Sequence, residues 1–258
     1  MTTATGHDER ESGADELTSE SQDSTAASGD AERTDGYTFD DLSVVMGTYN
    51  EEAAIGTVLE DIDRVTDGRA EVVCVDSSSD RTPEIAREHG ARVVEQPAMG
   101  YGVAVSKALQ SASRPVIVTT DCDDTYPMEA LPEFLDAINA GRDVVSGDRL
   151  YWGAEAMPEF NRLGNAGFAL IASALLGERV HDTTTGMRAY RREVIEDIEW
   201  TENTGLSAEL LIRPLARGYD VQERPIEYRE RAGETTLDPI KGGLAIAKSI
   251  VKVCLSER

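Results

Sequence analysis

The sequence contains few cysteines and aromatic residues and has no long apolar run. Its three cysteines, Cys74, Cys122 and Cys254, include no pair with Cys-x-x-Cys spacing, which argues against structural zinc or a disulfide framework. No segment approaches the roughly 18 consecutive apolar residues that a membrane-spanning helix needs. The first residues have neither a basic flank nor an apolar core. We therefore expect no secretory signal and a cytoplasmic protein.

Positive charge is also scarce. The 25 Lys and Arg residues face 49 Asp and Glu residues, which gives a formal net charge of -24. So acidic a chain repels nucleic acid, and we exclude nucleic acid as a partner. Lysine occurs only at positions 107, 241, 248 and 252. An acidic, lysine-poor surface is typical of proteins that work in high salt, where charge repulsion is screened, so we expect a halophilic source.

Composition divides the chain into three parts. Residues 1–37 contain almost no large apolar side chain and are predicted to be a disordered acidic tail. Residues 38–240 are predicted to form an α/β domain. Residues 241–258 are predicted to form a C-terminal amphipathic helix that bears three lysines. For this helix and for the apolar stretch at 158–178 two interpretations stay open: both are core helices, or both lie at a membrane surface with lysines flanking the apolar face.

Apolar strands alternate with helical stretches after residue 41. Strands are predicted at 42–46, 71–75, 92–94, 115–120 and 143–146, and helices at 53–65, 83–89, 103–112 and 131–139. This alternation predicts a mostly parallel sheet with helices on both faces. Ligands of such sheets bind at the carboxyl ends of the strands, which is where the polar clusters of this sequence occur.

The strongest candidate site is the acidic cluster that directly follows the fourth predicted strand. Asp121 and Asp123 form a D-x-D pair, whose carboxylates repel each other unless a cation lies between them. Mg²⁺ or Mn²⁺ takes oxygen ligands and readily bridges to a diphosphate. A pair of acids can alternatively be a solvated turn, but the position after a buried strand favours a metal site. Asp124 leaves the register of the pair open by one residue.

Two polar segments follow the first and second predicted strands. Residues 48–52 (TYNEE) could cap the next helix, because Asn50 precedes it and two glutamates suit its positive end. Residues 76–82 (DSSSDRT) could form a turn with a capping side chain. Because the two segments and the acidic cluster follow the first, second and fourth predicted strands in order, they favour one shared ligand site.

These three segments together resemble the nucleotide-binding half of the GT-A fold in family 2 glycosyltransferases. Further matches are residues 100–104 (GYGVA), a glycine-rich helix start; residues 121–127 (DCDDTYP), the metal motif with its trailing proline; and residues 146–149, 182–190 and 229–233, which resemble segments of dolichyl-phosphate sugar synthases. The resemblance covers about residues 42–240. It implies a Rossmann-like GT-A α/β fold with a mostly parallel sheet.

The resemblance also implies roles for the matched positions on the donor side. Tyr49, Glu51 and Asp76 would hold the base and ribose of a nucleotide-sugar. Asp121 would bind the nucleotide-sugar as well as the metal, and Asp123 would bind the metal and the diphosphate. The implied cofactor is Mg²⁺ or Mn²⁺.

On the acceptor side the resemblance implies a role for arginines. Arg149 and Arg162 would grip the acceptor phosphate, because a guanidinium matches phosphate oxygens bidentately. Together with Asp123 they are the candidate catalytic residues. Arg188 and Arg231 are further candidates for binding a donor or acceptor phosphate.

Four departures from the family pattern affect the expected details. The segment after the second strand is one residue shorter than usual and has Ser77 in place of its second Asp, which affects base recognition. Thr125 stands where many lipid-phosphate mannose synthases have Gln. Residues 233–236 (GETT) lack the lysine of a late family motif. No conventional Glu-Asp base motif is evident, and Glu209 is the nearest acid.

The absence of a base motif fits a phosphate acceptor. Transfer to a hydroxyl needs a general base, whereas a phosphate monoester is anionic near neutral pH and can attack C1 of the sugar directly. The resemblance thus implies an inverting, metal-dependent hexosyltransferase that acts on dolichyl or another polyprenyl phosphate at the inner face of the cell membrane. The variant metal motif is similar to that of archaeal synthases that use UDP-sugars in protein N-glycosylation, which favours UDP-glucose over GDP-mannose.

Two other functions remain open at this point. Transfer to a soluble or protein hydroxyl would use Glu209 or Asp182 as its base. A non-catalytic homologue could act as a membrane-associated partner of other glycosylation proteins; the shortened second segment favours it, and the intact Asp121, Asp123 and Arg149 oppose it. A nucleotidyltransferase is disfavoured, because no glycine-rich triphosphate loop follows the first strand.

Overall fold

In the computed structural model, residues 36–231 and 239–257 are described. All but the last two residues of the predicted acidic tail, and the 233–236 segment, lie outside the described residues.

Seven strands of the described chain form one sheet in the order β3-β2-β1-β4-β6-β5-β7. The strands are β1 (Leu42–Thr48), β2 (Glu71–Asp76), β3 (Arg92–Glu95), β4 (Val116–Thr119), β5 (Val144–Asp148), β6 (Arg188–Arg191) and β7 (Val221–Pro225). Strand β6 runs antiparallel to both of its neighbours, and the other pairings are parallel. The predicted mostly parallel sheet is therefore confirmed.

The helices are α1 (Ile55–Thr66), α2 (Thr82–Glu88), α3 (Tyr101–Ser111), α4 (Leu131–Asn139), α5 (Glu159–Leu176), α6 (Arg192–Asp197), α7 (Leu206–Ala216) and α8 (Pro239–Ser256). Short 3-10 turns occupy Phe39–Asp41 and Met128–Ala130. The helices predicted between the first five strands are confirmed to within a few residues. The stretch predicted at 158–178 contains α5, and the helix predicted at 241–258 corresponds to α8, which begins two residues earlier.

Strand β1 is buried along almost its whole length because both faces of the sheet are covered. Val44 and Met46 pack with α1 and α4 in one hydrophobic core, whereas Val45 packs with α3 and α7 in a second core on the opposite face. This alternation follows from the two-residue period of a strand. On α1, Ile55, Val58, Leu59 and Ile62 are buried at helical spacing. The two cores hold the carboxyl ends of β1, β2 and β4 at one edge of the sheet.

The sequence did not indicate β6 or β7. Strand β6 reads RAYR and β7 reads VQERP, so neither has the apolar run that marks the other strands. Both are defined by pairing with β5, as in the contact between Val144 and Val221, and pairing between distant segments leaves no local signal.

Helix α8 packs on α5 and α7 in a third hydrophobic cluster. Ala172 of α5, Ile212 of α7, and Ile250 and Val253 of α8 are fully buried there. One face of α8 is therefore a core face, as the first of the two interpretations predicted. No helix within residues 36–231 and 239–257 combines the length and apolarity needed to cross a membrane.

Glu71, at the start of β2, links three strands at the amino end of the sheet. Its carboxylate accepts hydrogen bonds from the Ser43 hydroxyl on β1, from Arg92 Nη2 (2.9 Å) on β3, and from the backbone nitrogen (2.8 Å) and hydroxyl (2.9 Å) of Ser113. Burial alone would raise the pKa of Glu71, but these hydrogen bonds outweigh burial and lower the pKa to about 2.

We expect Glu71→Gln to lower the free energy of unfolding by about 1–2 kcal/mol near neutral pH. The folded-state pKa lies below the ordinary glutamate value of 4.5, so the carboxylate stabilises the fold above about pH 4.5 and loses this effect as the pH falls towards 2. Denaturant unfolding of both proteins between about pH 7 and pH 3 measures this. The difference should shrink as the pH falls, and a difference independent of pH would contradict the prediction.

Candidate active site

The segments that follow β1 and β2 are joined through Asp76. Its buried carboxylate accepts hydrogen bonds from the Thr48 hydroxyl (2.7 Å) and from the hydroxyl (2.7 Å) and backbone nitrogen (2.9 Å) of Ser78. Ser78 Oγ in turn accepts a hydrogen bond from the backbone nitrogen of Asn50 (2.8 Å). Asp76 thus holds the two segments together through hydrogen bonds.

The same two segments present Tyr49 and Glu51 at the end of β1. Asn50 lies between them in the left-handed region (φ 55°), a conformation that asparagine tolerates better than most residues. Its side-chain oxygen accepts a hydrogen bond from the Ser79 backbone (2.9 Å), and the Glu51 backbone donates to Thr82 Oγ1 (2.8 Å). Tyr49 is left 48% exposed. Sequence reasoning treated Asn50 only as a possible helix cap. Its position among the polar residues after β1 was the signal that could have indicated its role in joining the two segments.

Asp123 lies in a tight turn after β4, and its two carboxylate oxygens face different partners. Oδ1 accepts hydrogen bonds from the hydroxyl (2.6 Å) and backbone nitrogen (3.2 Å) of Thr125. Oδ2 lies 2.9 Å from Nη1 of Arg231. Asp124, in the left-handed region (φ 61°), lies instead 3.9 Å from Arg229. Thr125 thus stabilises the turn by donating to Asp123. The presence of Gln at this position in related synthases did not suggest that role.

Asp121 stands beside Asp123 in an electrostatically unfavourable position. Burial, followed by the negative charge of Asp123, raises the pKa of Asp121, while Arg149, Arg231 and a hydrogen bond from the Tyr101 hydroxyl (3.3 Å) act in the opposite direction. The acidic pair therefore carries more negative charge than its surroundings balance.

The donor set of this pair fits Mg²⁺ or Mn²⁺. Both ions prefer hard oxygen ligands, and two close carboxylates whose mutual repulsion raises a pKa are stabilised by a divalent cation. In the part of the chain that the structure describes, no group of three or more His, Cys, Asp or Glu side chains converges on one point. Asp121 and Asp123 would hold the ion, and the oxygens of a diphosphate would complete its coordination.

Arg149 forms a buried ion pair with Asp182. Its Nε and Nη2 donate to the two carboxylate oxygens of Asp182 (2.7 and 2.8 Å), and Nη2 also lies 2.9 Å from the Thr184 hydroxyl. Nη1 lies 3.3 Å from the Tyr126 hydroxyl, and the guanidinium carbon is 5.4 Å from the centre of the Tyr228 ring. The charge of Asp182 outweighs the effect of burial and keeps Arg149 charged.

A cavity of about 340 Å³ opens beside this ion pair. Its lining comprises Arg149, Trp152, Ala154, Glu155, Ala156, Ile226, Glu227, Tyr228 and Arg229. The guanidinium of Arg149 is thus one wall of a cavity whose other walls are aromatic, aliphatic and charged. Sequence reasoning singled out Arg149 but not Trp152, Ile226 or Tyr228; Ile226 and Tyr228 come close to it through the pairing of β5 with β7.

Arg162, the second arginine predicted for the acceptor, lies near the start of α5. Its Nη1 donates to the carbonyl oxygen of Gly153 (3.1 Å), and its Nη2 lies 3.9 Å from Glu159. The structure therefore places Arg162 against the backbone of the loop that lines the cavity, and not among the lining residues themselves.

Two further sequence candidates are enclosed in the protein. Glu209 is fully buried and accepts hydrogen bonds from the backbones of Thr201 (3.0 Å) and Glu202 (2.8 Å) and from Arg213 Nε (2.7 Å). Arg188 is also fully buried and donates to Ser146 Oγ and to the Thr183 carbonyl oxygen (both 2.9 Å). Both side chains are therefore enclosed by the fold, which argues against Glu209 as a base and Arg188 as a phosphate ligand.

Known proteins share this sequence pattern. The family model described as Glycosyl transferase family 2 matches residues 43–199. A dolichyl-phosphate hexose transferase of Haloferax volcanii is 74% identical over 222 residues, covering 86% of this chain and 97% of that protein. The low-salt glycan biosynthesis hexosyltransferase Agl6 of the same organism is 34% identical over 211 residues, covering 78% of this chain and 51% of that protein.

Solved structures share the architecture. The glucosyl-3-phosphoglycerate synthase of Mycobacterium tuberculosis, crystallised with Mn²⁺, UDP-glucose and phosphoglyceric acid, is 25% identical to this chain. The alignment covers 88% of this chain and 85% of the synthase, with a TM-score of 0.66. The predicted GT-A fold class and the resemblance to family 2 are confirmed.

Proposed function

The chain belongs to glycosyl transferase family 2, and we propose that it moves a hexose from a nucleotide-sugar to dolichyl or another polyprenyl phosphate. The observation that carries this proposal is the position of Arg149. Its guanidinium lines a cavity with aromatic and aliphatic walls, and its positive charge acts to lower the pKa of Asp121. A phosphate bound by Arg149 would lie beside a donor whose diphosphate is bound at Asp121.

The donor nucleotide would bind over the segments that follow β1 and β2. The half-exposed ring of Tyr49 offers a face on which a planar base can stack. Glu51 and Asp76 would hold the ribose, Glu51 directly and Asp76 through the hydrogen-bonded segment that it organises.

The diphosphate would bind at Asp121 and Asp123. A bound Mg²⁺ or Mn²⁺ would neutralise the charge that develops on the departing nucleoside diphosphate. The two carboxylates fix the position of that charge relative to Arg149. The Mn²⁺ and UDP-glucose in the crystallised synthase support this assignment.

The acceptor phosphate would bind at Arg149. One of its oxygens forms a bond with C1 of the sugar while the bond between C1 and the diphosphate oxygen breaks, so the configuration at C1 inverts. The attacking oxygen is already anionic, so no general base is required. Arg149 supplies alignment, Arg162 holds the loop that lines the cavity, and the apolar walls accept the first part of the lipid chain. Glu155 and Glu227 also line the cavity, so the phosphate is expected on the side of Arg149 and Arg229.

The two acids considered as bases for the hydroxyl-transfer alternative are both held by hydrogen bonds within the fold. Glu209 is enclosed by hydrogen-bond donors, and Asp182 is held bidentately by Arg149, which together with hydrogen bonds keeps its pKa low despite burial. The non-catalytic alternative requires a site that has lost its charged groups, whereas Asp121, Asp123 and Arg149 lie together here.

The donor and the reaction can be tested in one assay. The protein, in high salt with Mn²⁺, is offered labelled UDP-glucose or GDP-mannose together with a short polyprenyl phosphate. We expect lipid-bound label from UDP-glucose and little from GDP-mannose. Nucleoside diphosphate released only with a sugar or peptide acceptor would favour the hydroxyl-transfer alternative. The proposed product would serve as a lipid-linked sugar for protein N-glycosylation.

The lipid acceptor requires contact with a membrane, for which α5 and α8 offer a surface. We define the membrane-facing surface as the exposed side of α5 and α8, comprising Phe160, Leu163, Leu170, Lys241, Leu244, Lys248, Val251, Lys252 and Leu255. Leu163, Leu170 and Leu244 are each at least 70% exposed. Three of the four lysines of this acidic chain lie among these apolar side chains. This pattern supports peripheral binding to an anionic leaflet at the cytoplasmic side.

We expect Leu170→Ser with Leu244→Ser to abolish most binding to phosphatidylglycerol vesicles at any salt concentration, because apolar burial is not screened. Lys248→Glu should weaken binding about tenfold at low salt, since each lysine near an anionic surface contributes about 1 kcal/mol. In molar salt the effect should largely disappear. Vesicle co-sedimentation measures both effects.

Lys107→Glu is the matched control, because Lys107 lies on α3 and is the remaining lysine of the chain. It should leave vesicle binding unchanged. Equal losses for Lys107→Glu and Lys248→Glu would show that net charge alone governs binding, contrary to the proposed surface.

A further inference from the structure

Arg231 bridges two acids of the candidate active site. Its Nη2 lies 2.8 Å from Glu51 Oε1, and its Nη1 lies 2.9 Å from Asp123 Oδ2. These acids follow β1 and β4, so the guanidinium joins segments that lie far from it in sequence. Burial opposes the charged form of Arg231, but the charges of Asp123 and Glu51 outweigh burial and raise its pKa. The arginine is thus a fixed positive charge inside the acidic site.

The oxygen that Arg231 contacts is the one that a metal ion would need. Asp123 Oδ1 already accepts two hydrogen bonds from Thr125, which hold the turn. Oδ2 has the lone pairs that face the site, and Arg231 occupies that direction. A divalent cation held by Asp123 Oδ2 would lie next to the guanidinium and would be repelled by its like charge.

We propose that Arg231 and the divalent cation compete for Asp123 Oδ2, so that Arg231 acts as the counter-ion of the site until the donor arrives. This inference rests on the proposed function for the identity of the donor. A bound nucleoside diphosphate would attract the guanidinium away from Oδ2, and Asp123 would then be able to hold the cation while Arg231 neutralises the diphosphate. Metal and nucleotide therefore bind with positive coupling, and the metal alone binds weakly.

The competition gives Arg231→Gln an unusual combination of effects. Without nucleotide, Mn²⁺ should bind about three- to tenfold more tightly than to the wild type, because a competing partly exposed ion pair is removed. UDP should bind more weakly, because its diphosphate loses a positive partner. The enhancement of Mn²⁺ binding by UDP should shrink. Arg231→Lys should be intermediate, because one ammonium group cannot span both acids as the guanidinium does.

Electron paramagnetic resonance of free Mn²⁺ measures these affinities without donor sugar, acceptor or turnover. The matched control is Arg224→Gln, which makes the same charge change on β7, where Arg224 lies 3.3 Å from Glu133. It should leave Mn²⁺ affinity within about twofold of wild type, consistent with the small effect of an exposed pair. Thermal unfolding confirms that each variant is folded.

The outcomes separate this inference from the proposed function. Tighter Mn²⁺ binding by Arg231→Gln, in a protein that transfers no sugar to lipid, would support the competition and refute the function. Normal transfer with unchanged or weaker Mn²⁺ binding by Arg231→Gln would overturn the competition alone. Absence of Mn²⁺ binding by the wild type, even with UDP, would overturn both.

Discussion

Asp123→Asn is expected to lower the rate of hexose transfer about a thousandfold, with the fold intact. The amide oxygen can still accept the hydrogen bonds from Thr125 that maintain the turn. The variant loses the negative charge that would bind the cation and locate the diphosphate, an interaction worth several kcal/mol in the transition state. The variant also removes the repulsion that, after burial, raises the pKa of Asp121, but it breaks the ion pair with Arg231, so its thermal stability without metal should stay close to that of the wild type.

Asp124→Asn is the matched control for this prediction. Asp124 is the adjacent acid and lies 3.9 Å from Arg229, so its replacement changes the charge by the same amount one residue away. Transfer should fall less than about threefold, as for the loss of an exposed ion pair. A large loss of transfer for Asp124→Asn together with a small loss for Asp123→Asn would indicate that Asp124, and not Asp123, binds the metal.

The second large effect concerns the buried ion pair of Arg149 and Asp182. Asp182→Asn should lower the free energy of unfolding by about 3–5 kcal/mol, because the enclosed guanidinium loses its carboxylate partner. Arg149→Met should destabilise by a similar amount, because the carboxylate is then left without its cation. Chemical denaturation in constant salt gives both values.

The double variant Arg149→Met, Asp182→Leu separates the structural role of the pair from its chemical role. Replacement of both charges by apolar side chains should restore much of the lost stability. Transfer should stay at least about a hundredfold below wild type, because no guanidinium aligns the acceptor phosphate. A stable double variant with wild-type values of kcat and KM for the lipid would show that Arg149 only supports the fold.

The parts of the fold that the sequence predicted are those with local signals. Strands β1, β2 and β4 are buried on both faces and therefore read as apolar runs, and each is followed by polar residues that converge at one edge of the sheet. This is why Asp76, Asp121 and the segment around Glu51 could be selected as one group.

The parts that the sequence missed depend on contacts between distant residues. Strands β6 and β7 are too polar to be identified from sequence alone. The bridge from Arg231 to Glu51 spans 180 positions, so no local pattern could indicate it. Arg149 was predicted to bind the acceptor phosphate, and its buried ion pair with Asp182 was not foreseen, because Asp182 was considered only as a possible base. The same residue type can stabilise the fold or bind a ligand, depending on how deeply its side chain is buried. The depth of burial depends on the folded chain and is not visible in the local sequence.

The central claim is that the acceptor is a phosphate monoester that attacks without a general base. The most direct test offers the protein a short polyprenyl phosphate and, in a parallel reaction, the corresponding polyprenol, each with Mn²⁺ and labelled UDP-glucose in high salt. Label should enter the lipid fraction only with the phosphate. Glucosylation of the alcohol at a comparable rate would contradict the claim, because a hydroxyl requires a base that the described site does not provide.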